Sequence, residues 1–509
     1  MKIEINEKFK QAFELMENSE SHILITGRAG TGKSTLLDYF RNNTKKNIVV
    51  LAPTGVAAVN VKGVTIHSFF KFRPDITVSK VKKARDSKIY RNLDAIVIDE
   101  ISMVRADLLD CIDKFMRING KDKNKPFGGV QMILFGDLYQ LPPVVKNFEK
   151  NIFKGFYKSH YFFDAKAFEN LEFEFVELEK IYRQKDQKFI EILNAVRNNS
   201  LTNEQLKEIN KRYLPNFQPE SNDFYIILTS TKEIADKINK ENMDKIKGNF
   251  YYYQGIVKGS FPESYLPLEK ELAVKIGSQV MLINNDNLGR WINGSIGKIV
   301  EIERNEDGND VISIELLDKK IVQITPYTWN IYDIFFDDST QSIESRVVGS
   351  FIQYPIKPAW AITIHKSQGK TFDKVIIDIG SGAFAHGQIY VALSRCTSLN
   401  GIVLKKPIRK EDVMVDWKIV NFVSRLKRMN YGNEKDEDII LMIENAIKND
   451  KQIKIIYLKK NDQVIERVVK PVKVGEMVYM GKRYKGLLCY DSKNLKTFRL
   501  DRIMKVKYN

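Results

Sequence analysis

The first third of the chain repeats one rhythm of apolar and polar positions. Short apolar runs at 22–26 (HILIT), 48–52, 95–98 and 132–135 are each bounded by polar or turn residues, and stretches with helical spacing, such as 35–41 (TLLDYFR), lie between them. Apolar runs alternating with helical stretches have the βαβ rhythm of a parallel sheet. Runs of the same kind return at 224–228, 360–364, 375–379 and 401–404, which predicts a second α/β core. Between the two the rhythm changes: strands at 279–283, 298–302, 311–316 and 321–324 follow closely on one another, with Asn293-Gly294 and Gly308-Asn309 as turn signals. That pattern predicts a small antiparallel β insertion in the second core. A polar stretch at 427–438 reads as a linker, followed by a helix at 439–448 and short strands sufficient for one small β-barrel. The expected organisation is a first core at 1–200, a second core built from 201–275 and 351–430, the barrel insertion at 276–350, and a C-terminal domain at 437–509.

Composition narrows the class. A chain of 509 residues is too long for one core. Its 81 Lys+Arg against 64 Asp+Glu give a formal net charge of +17, which suits a polyanionic partner but also a merely soluble, heat-tolerant surface. Cys111, Cys396 and Cys489 are far apart and form no zinc-type pair, as expected in a reducing cytoplasm without disulfides. No apolar run approaches the ~20 residues needed to cross a bilayer, so the expectation is a soluble, intracellular protein with no membrane partner.

The chemistry concentrates in ordered blocks. Gly27 to Thr35 (GRAGTGKST) is a phosphate-binding loop between a predicted strand and a predicted helix, the context that gives this spacing its meaning. Backbone N–H groups around Gly27, Ala29, Gly30, Thr31 and Gly32 can turn toward nucleotide phosphates. Lys33 neutralises their oxygens, Ser34 offers a hydroxyl to Mg²⁺, and Thr35 continues into the helix, whose positive end faces the anion. At the end of the strand 95–98, Asp99 would hold Mg²⁺ and Glu100 would orient or deprotonate the attacking water. After the strand 132–135, Gln140 could report the γ-phosphate, with the rigid Pro142-Pro143 step above it. The stretch 52–70 ends a strand with Pro53 and Thr54, then presents Thr65, His67, Ser68 and Phe69: hydroxyls and an imidazole suited to phosphates, and an aromatic ring suited to stacking or equally to burial in a turn.

Taken together the blocks resemble superfamily 1B DNA helicases of the petite-integration-frequency family, related to RecD. The resemblance rests on the phosphate loop, PTGVAA (53–58), TIHSFF (65–70), DEISM (99–103), GDLYQLPPV (136–144), LEKIYRQKDQKFIEILNAVR (178–197), AWAITIHKSQGKT (359–371) and QIYVALSRCT (388–397). It implies two RecA-like parallel-sheet cores with a shared ATP and Mg²⁺ site, in which Lys33, Glu100, Gln140 and the arginine fingers Arg183 and Arg395 are catalytic. Gln368 and Gly369 approach the nucleotide; Gln388 and Tyr390 support the last block. Pro53, Thr54, Thr65, His67, Ser68, Phe69, Pro142, Val144, His365, Lys366 and Ser367 are implied to face DNA. Phe9 stands where the family places an adenine-reading glutamine, and Gln11 is the candidate substitute. The basic stretch 71–93 fits the family's 1B wedge or a solvated loop. Within the insertion, which resembles the family's 2B barrel, Arg290 and Trp291 fit DNA stacking or packing.

The C-terminal block resembles a WYL domain through Ile455-Ile456-Tyr457, Pro471 and TFRLDRI (497–503), although Lys485-Gly486-Leu487 stands in place of the naming triplet. Arg467, Arg483, Arg499 and Arg502 are candidates for a nucleic acid or nucleotide, or for structural pairing with Asp501. The implied activity is 5′-to-3′ translocation on single-stranded DNA with unwinding of forked duplexes, by a nucleoid-associated protein that is monomeric alone or assembles on DNA. A DNA-stimulated NTPase that remodels nucleoprotein, and a ligand-responsive regulator led by the C-terminal domain, are the alternatives.

Overall fold

The computed structural model describes residues 5–508 apart from 144, 146–152, 154, 170, 185, 221–222, 287, 307, 381, 384, 430–435, 460–462, 480–481 and 493. Its chain forms two compact units, one of Met1–Leu193 with Asn203–Val413, the other of Asn194–Thr202 with Met414–Asn509.

In the first unit β1 (His22–Gly27), β2 (Ile48–Ala52), β3 (Val64–Thr65), β4 (Ala95–Ile98), β5 (Gln131–Gly136) and β6 (Phe173–Leu178) form one sheet in the order β3-β2-β4-β5-β1-β6. Every pairing in it is parallel. All residues of β4 and β5 are buried, which explains the apolar runs AIVI and MILF. Ile23, Ile25, Val97, Ile133 and Phe135 meet Leu36 and Phe40 of the helix Lys33–Asn43 in one core. Because the strands are parallel, the phosphate loop, the 53–58 segment, Asp99-Glu100 and Asp137-Gln140 all emerge at one edge of the sheet.

The second core begins with β7 (Ile226–Thr229), two residues later than its pattern suggested, because Phe224 takes a left-handed φ of 54°. The antiparallel part follows. It contains β8 (Tyr251–Gln254), β9 (Ile256–Gly259), β10 (Glu271–Val274), β11 (Gln279–Leu282), β12 (Ile296–Arg304), β13 (Asp310–Leu316), β14 (Ile321–Ile324), β15 (Tyr327–Asp337), β16 (Ser342–Gln353) and β17 (Ile356–Pro358). They form a five-stranded sheet β14-β13-β12-β11-β17, a three-stranded sheet β15-β16-β9 and the pair β10-β8. Pairing thus draws 251–259, 271–274 and 356–358 into the antiparallel part, outside the expected span 276–350. The chain then returns to the second core with β18 (Ala361–Thr363), β19 (Val375–Asp378) and β20 (Ile402–Leu404), in the parallel order β18-β7-β19-β20.

One open alternative resolves here, the fate of Trp291. Trp291 is 7% exposed within the core of the five-stranded sheet, its indole Nε1 donating to Asn284 Oδ1 at 3.1 Å. Arg290, itself exposed, lies over that ring at 4.6 Å and pairs with Asp286, so of the two Trp291 is a packing element. The stretch 71–93 holds a 3-10 turn, Val78–Lys80, and a helix, Lys88–Asn92, whose Tyr90 sits among Phe69, Phe70 and Phe115. Lys88 and Lys71 pair with Asp338 and Asp333 of the β15–β16 hairpin. These pairs are exposed and contribute little stability.

The second unit carries the helices Trp417–Met429 and Asp436–Lys448 and a five-stranded antiparallel sheet. Its strands are β21 (Ile453–Leu458), β22 (Val464–Tyr479), β23 (Lys482–Asp491), β24 (Asn494–Arg499) and β25 (Ile503–Tyr508), in the order β24-β23-β22-β21-β25. The 16-residue β22 is far longer than the short strands expected, with a register shift between Pro471 and Lys473. Ile439 and Ile443 cover Ile453, Ile455, Leu487 and Val506. Of the four arginine candidates, Arg499 lies 3.8 Å over the Trp417 ring and makes two bonds to Asp501, at 2.9 and 2.8 Å, while Arg502 is buried. Arg467 and Arg483 are exposed. Among the described residues no helix is long and apolar enough to cross a membrane, and all three cysteines are buried and free.

Candidate active site

The phosphate loop depends on two left-handed glycines, Gly30 (φ 82°) and Gly32 (φ 86°). Gly30 has a second constraint: a Cβ there would lie 2.5 Å from the Cβ of Arg183. Gly32 caps the helix Lys33–Asn43 without a side-chain bond, which leaves first-turn N–H groups for an anion. Lys33 Nζ donates to the carbonyls of Gly27 (2.8 Å) and Arg28 (3.0 Å), and the Thr31 hydroxyl donates to Arg28 O at 2.9 Å. Thr26 ties the loop's base to β5 by donating to Gly136 O at 2.8 Å. Ser34 and Thr35 are exposed at the helix start, and Ala29 is buried.

Asp99 and Glu100 follow β4 and are half-buried, with Glu100 held at a left-handed φ of 51°. Burial pushes the Asp99 carboxyl above the usual range while Lys33 opposes it. Burial likewise raises Glu100, with Asp99 and Asp137 adding to the rise and Lys33 and Arg395 opposing it. The oxygen donors Ser34 and Asp99 suit a hard divalent cation of the Mg²⁺ type, which takes few protein ligands and completes its shell with water and phosphate. Among the described residues there is no group of three or more His, Cys, Asp or Glu that could hold a metal ion.

The second core reaches this edge through three elements. Tyr390, buried on the helix Gln388–Ser394, donates its hydroxyl to Asp137 Oδ2 (3.0 Å) and accepts from the loop amide Ala29 N (3.1 Å). Gly387 makes the approach feasible, since a Cβ there would lie 2.5 Å from Tyr139 O. Gln140 donates to Asp137 Oδ2 at 3.1 Å, and Gln368 reaches Gln140 Oε1 at 3.5 Å. Arg395 is fully buried, donating to Val391 O, Ser367 O, Lys370 O and Ser394 Oγ. Arg183 donates to Ser394 O at 3.2 Å, and its pKa is lowered to about 9 by burial and by Arg395, with Tyr390 opposing. Lys33, Arg183 and Arg395 thus bring three cations together beside Asp99, Glu100 and Asp137.

Two expected DNA-facing residues have other occupations. Phe69 is 6% exposed and packs against Phe70 at 5.0 Å and Tyr90 at 5.3 Å, so its ring is not available to stack on a base. Ser367 is fully buried and donates its hydroxyl to Ile364 O at 2.7 Å, closing its own 3-10 turn. Thr54 is exposed and caps the helix Gly55–Asn60, Pro53 and Pro142 are half-buried, and Thr65 is buried. His67 and His365 are half-buried with pKa values lowered chiefly by burial; Lys366 and Gly369 are exposed. Val144 lies outside the described residues.

At the nucleotide end, Phe9 is buried against Tyr39 (5.4 Å); Gln11 lies on the exposed face of its helix, accepting from Lys8 Nζ at 3.0 Å. Two residues that pattern reading missed sit closer. Tyr182 is 41% exposed, donates its backbone N–H to Gly30 O at 2.8 Å, and receives a bond on its hydroxyl from Asn6 Nδ2 at 3.2 Å. Asp137 was also missed, although a carboxylate directly after an apolar strand was the available signal.

Family models match residues 2–207 as PIF1-like helicase, 332–439 as Helicase and 438–508 as WYL domain. The chain is 31% identical over 417 residues to the ATP-dependent DNA helicase PIF1 of Homo sapiens, covering 80% of this chain but 61% of that protein. It is 30% identical over 439 residues to the ATP-dependent DNA helicase Pif1 of Bdellovibrio bacteriovorus, covering 84% of this chain and 93% of that one. The crystal structure of Bacteroides sp Pif1 in complex with ADP-AlF4 superposes with a TM-score of 0.77 at 35% identity, over 85% of this chain and 99% of that chain. The Bacteroides helicase with ADP-AlF3 and single-stranded DNA gives 0.61 at 35% identity over the same shares. Its sequence, its parallel-sheet cores and the convergence of both cores on the phosphate loop therefore make this chain a member of the PIF1-like helicase family.

Proposed function

We propose that the chain is an ATP- and Mg²⁺-dependent DNA helicase that moves 5′ to 3′ on single-stranded DNA and opens forked duplexes. The observation that carries this reading is the Tyr390 hydroxyl, which bonds the phosphate loop and Asp137 at once, so that the second core is joined to the nucleotide site. Related Bacteroides structures with ADP-AlF4 and with single-stranded DNA support it. In this reading the two RecA-like cores close around ATP. Loop amides and Lys33 hold the phosphates, while Ser34 and Asp99 hold the cation, which when bound would neutralise the β and γ oxygens. Glu100, with a carboxyl raised toward neutrality, accepts the proton of the attacking water. Arg183 and Arg395 stabilise charge on the transferring phosphoryl group, worth about 10³ to 10⁵ in rate. Gln140, between Asp137 and Gln368, passes the change to the second core. Tyr182 offers its exposed face to the base, with Asn6 fixing its hydroxyl.

DNA runs over Pro53, Thr54, Thr65, His67, Pro142, His365 and Lys366, and the antiparallel sheets beside it serve as the barrel insertion. Exposed Arg467 and Arg483 of the C-terminal unit are its candidates for nucleic acid. ATP-driven opening of duplexes carrying only a 5′ or only a 3′ tail tests the proposal. The 5′-tailed duplex should open, and Lys33→Ala should abolish turnover while sparing DNA binding. Robust hydrolysis without opening of either duplex would instead favour a translocating NTPase that remodels nucleoprotein.

A further inference from the structure

Tyr265 lies where no motif pointed. It ends the 3-10 turn Glu263–Tyr265, between β9 and β10, and its hydroxyl is bonded to the Thr65 hydroxyl of the first core. Its ring and backbone also lie flat on Gly55: a Cβ at Gly55 would be 2.7 Å from Tyr265 Cδ1, 2.9 Å from Cγ and 3.0 Å from Cα. Both halves of the contact fall on the segment that the proposed function assigns to the DNA strand.

The Thr65 hydroxyl has little capacity to spare. It accepts from Ser68 N at 3.2 Å as the cap of its own turn, and the single bond to Tyr265, in which either hydroxyl can donate, takes its proton or its remaining lone pair. A phosphate oxygen can only accept, so it needs the Thr65 proton together with the position beside it that the Tyr265 hydroxyl occupies. The ring meanwhile fills the space in front of Gly55, where a strand's backbone would approach.

Each side of the contact belongs to its own framework. Thr65 and Gly55 belong to the first parallel core, whereas the turn of Tyr265 hangs between β9, which pairs with β16, and β10, which pairs with β8. The turn closes on itself through Tyr265 N to Pro262 O (3.0 Å) and Leu266 N to Glu263 O (3.1 Å), so its shape does not depend on Thr65.

We propose that Tyr265 is a latch: in the DNA-free protein it occupies Thr65 and covers Gly55, and a strand phosphate displaces it on binding. This rests on the DNA-facing assignment of Thr65. A neutral hydrogen bond of this kind corresponds to about a 2- to 12-fold change in an equilibrium constant. In the full-length, nucleotide-free protein, fluorescence anisotropy with a labelled oligo-dT should show Tyr265→Phe binding about 2- to 10-fold more tightly than wild type. Tyr265→Ala, which also uncovers Gly55, should gain at least as much. In a Thr65→Val background, Tyr265→Phe should give no further gain, a coupling that a merely structural tyrosine would not produce. Equal or weaker binding by Tyr265→Phe overturns the latch while leaving the helicase reading intact. A wild-type protein that binds no oligo-dT overturns both.

Discussion

Replacing Tyr390 by Phe removes one oxygen from a buried side chain and tests whether the two cores share a single catalytic site. The hydroxyl donates to Asp137 Oδ2 at 3.0 Å and accepts from Ala29 N at 3.1 Å, and the ring is 4% exposed, so no solvent replaces it. A bond to a buried carboxylate contributes about 1.5–3 kcal/mol, and the Ala29 amide adds a smaller share because nucleotide phosphates can accept from it. Asp137 keeps Tyr139 N and Gln140 Nε2, which places the net loss near the low end, about 1.5–2 kcal/mol. At about 1.4 kcal/mol per factor of ten, kcat/KM for ATP should fall roughly 10- to 30-fold, while affinity for oligo-dT changes little. Steady-state phosphate release with single-stranded DNA present measures it. Asp137→Asn should act through the same contact, so the double variant should be markedly less than additive. A Tyr390→Phe protein that folds normally and hydrolyses ATP within twofold of wild type would refute the idea that this hydroxyl couples the cores.

Two further outcomes concern stability. Lys370 donates to Asn293 Oδ1 at 2.5 Å, and its pKa is lowered to about 7, first by burial and then by Lys357. Its folded pKa lies below the unfolded value of ~10.4, so the unfolded state binds more protons between about pH 7 and 10, and stability rises with pH across that window. Lys370→Met should flatten that rise, read from denaturant midpoints at pH 7, 8 and 9; an unchanged slope sinks the assignment. Arg499→Ala removes the contact over Trp417 and both bonds to Asp501, which should destabilise the C-terminal unit by about 1–2 kcal/mol. Faster amide exchange across β21 to β25 would report it, and unchanged protection would contradict it.

What could be read from the sequence follows from how each feature is encoded. The phosphate loop is a local code, because Gly30, Gly32 and Lys33 must stand at fixed spacing for the backbone to turn. Strands β4 and β5 are legible because burial on both faces leaves Gln131 as their single polar position. The β15–β16 hairpin is opaque for the opposite reason: most of its residues are half-exposed or exposed, so neither face carries a clean alternation. Phe69 could be read as a stacking ring or a buried one because its partner Tyr90 arrives from a later segment. Ser367 reads as a polar loop residue until the turn folds its hydroxyl onto Ile364. The Ala29–Tyr390–Asp137 bridge joins three distant segments, and no spacing rule contains it.

The stretch Asn194–Thr202 belongs to the C-terminal unit, although the residues on either side of it belong to the other. The polypeptide therefore passes between the units after Leu193, after Thr202 and after Val413, whereas a simple appendage would hang from a single tether. Cutting the chain after Val413 would not yield a clean helicase minus its tail, because Arg197 and Asn198, both buried, would lose the residues they are packed with. Residues 414–509 expressed alone would likewise lack part of their own unit. Comparisons of full-length and truncated chains thus report on an interrupted fold as well as on a missing domain, and point substitutions on the exposed face of β22 and β23 are the cleaner way to question the C-terminal unit.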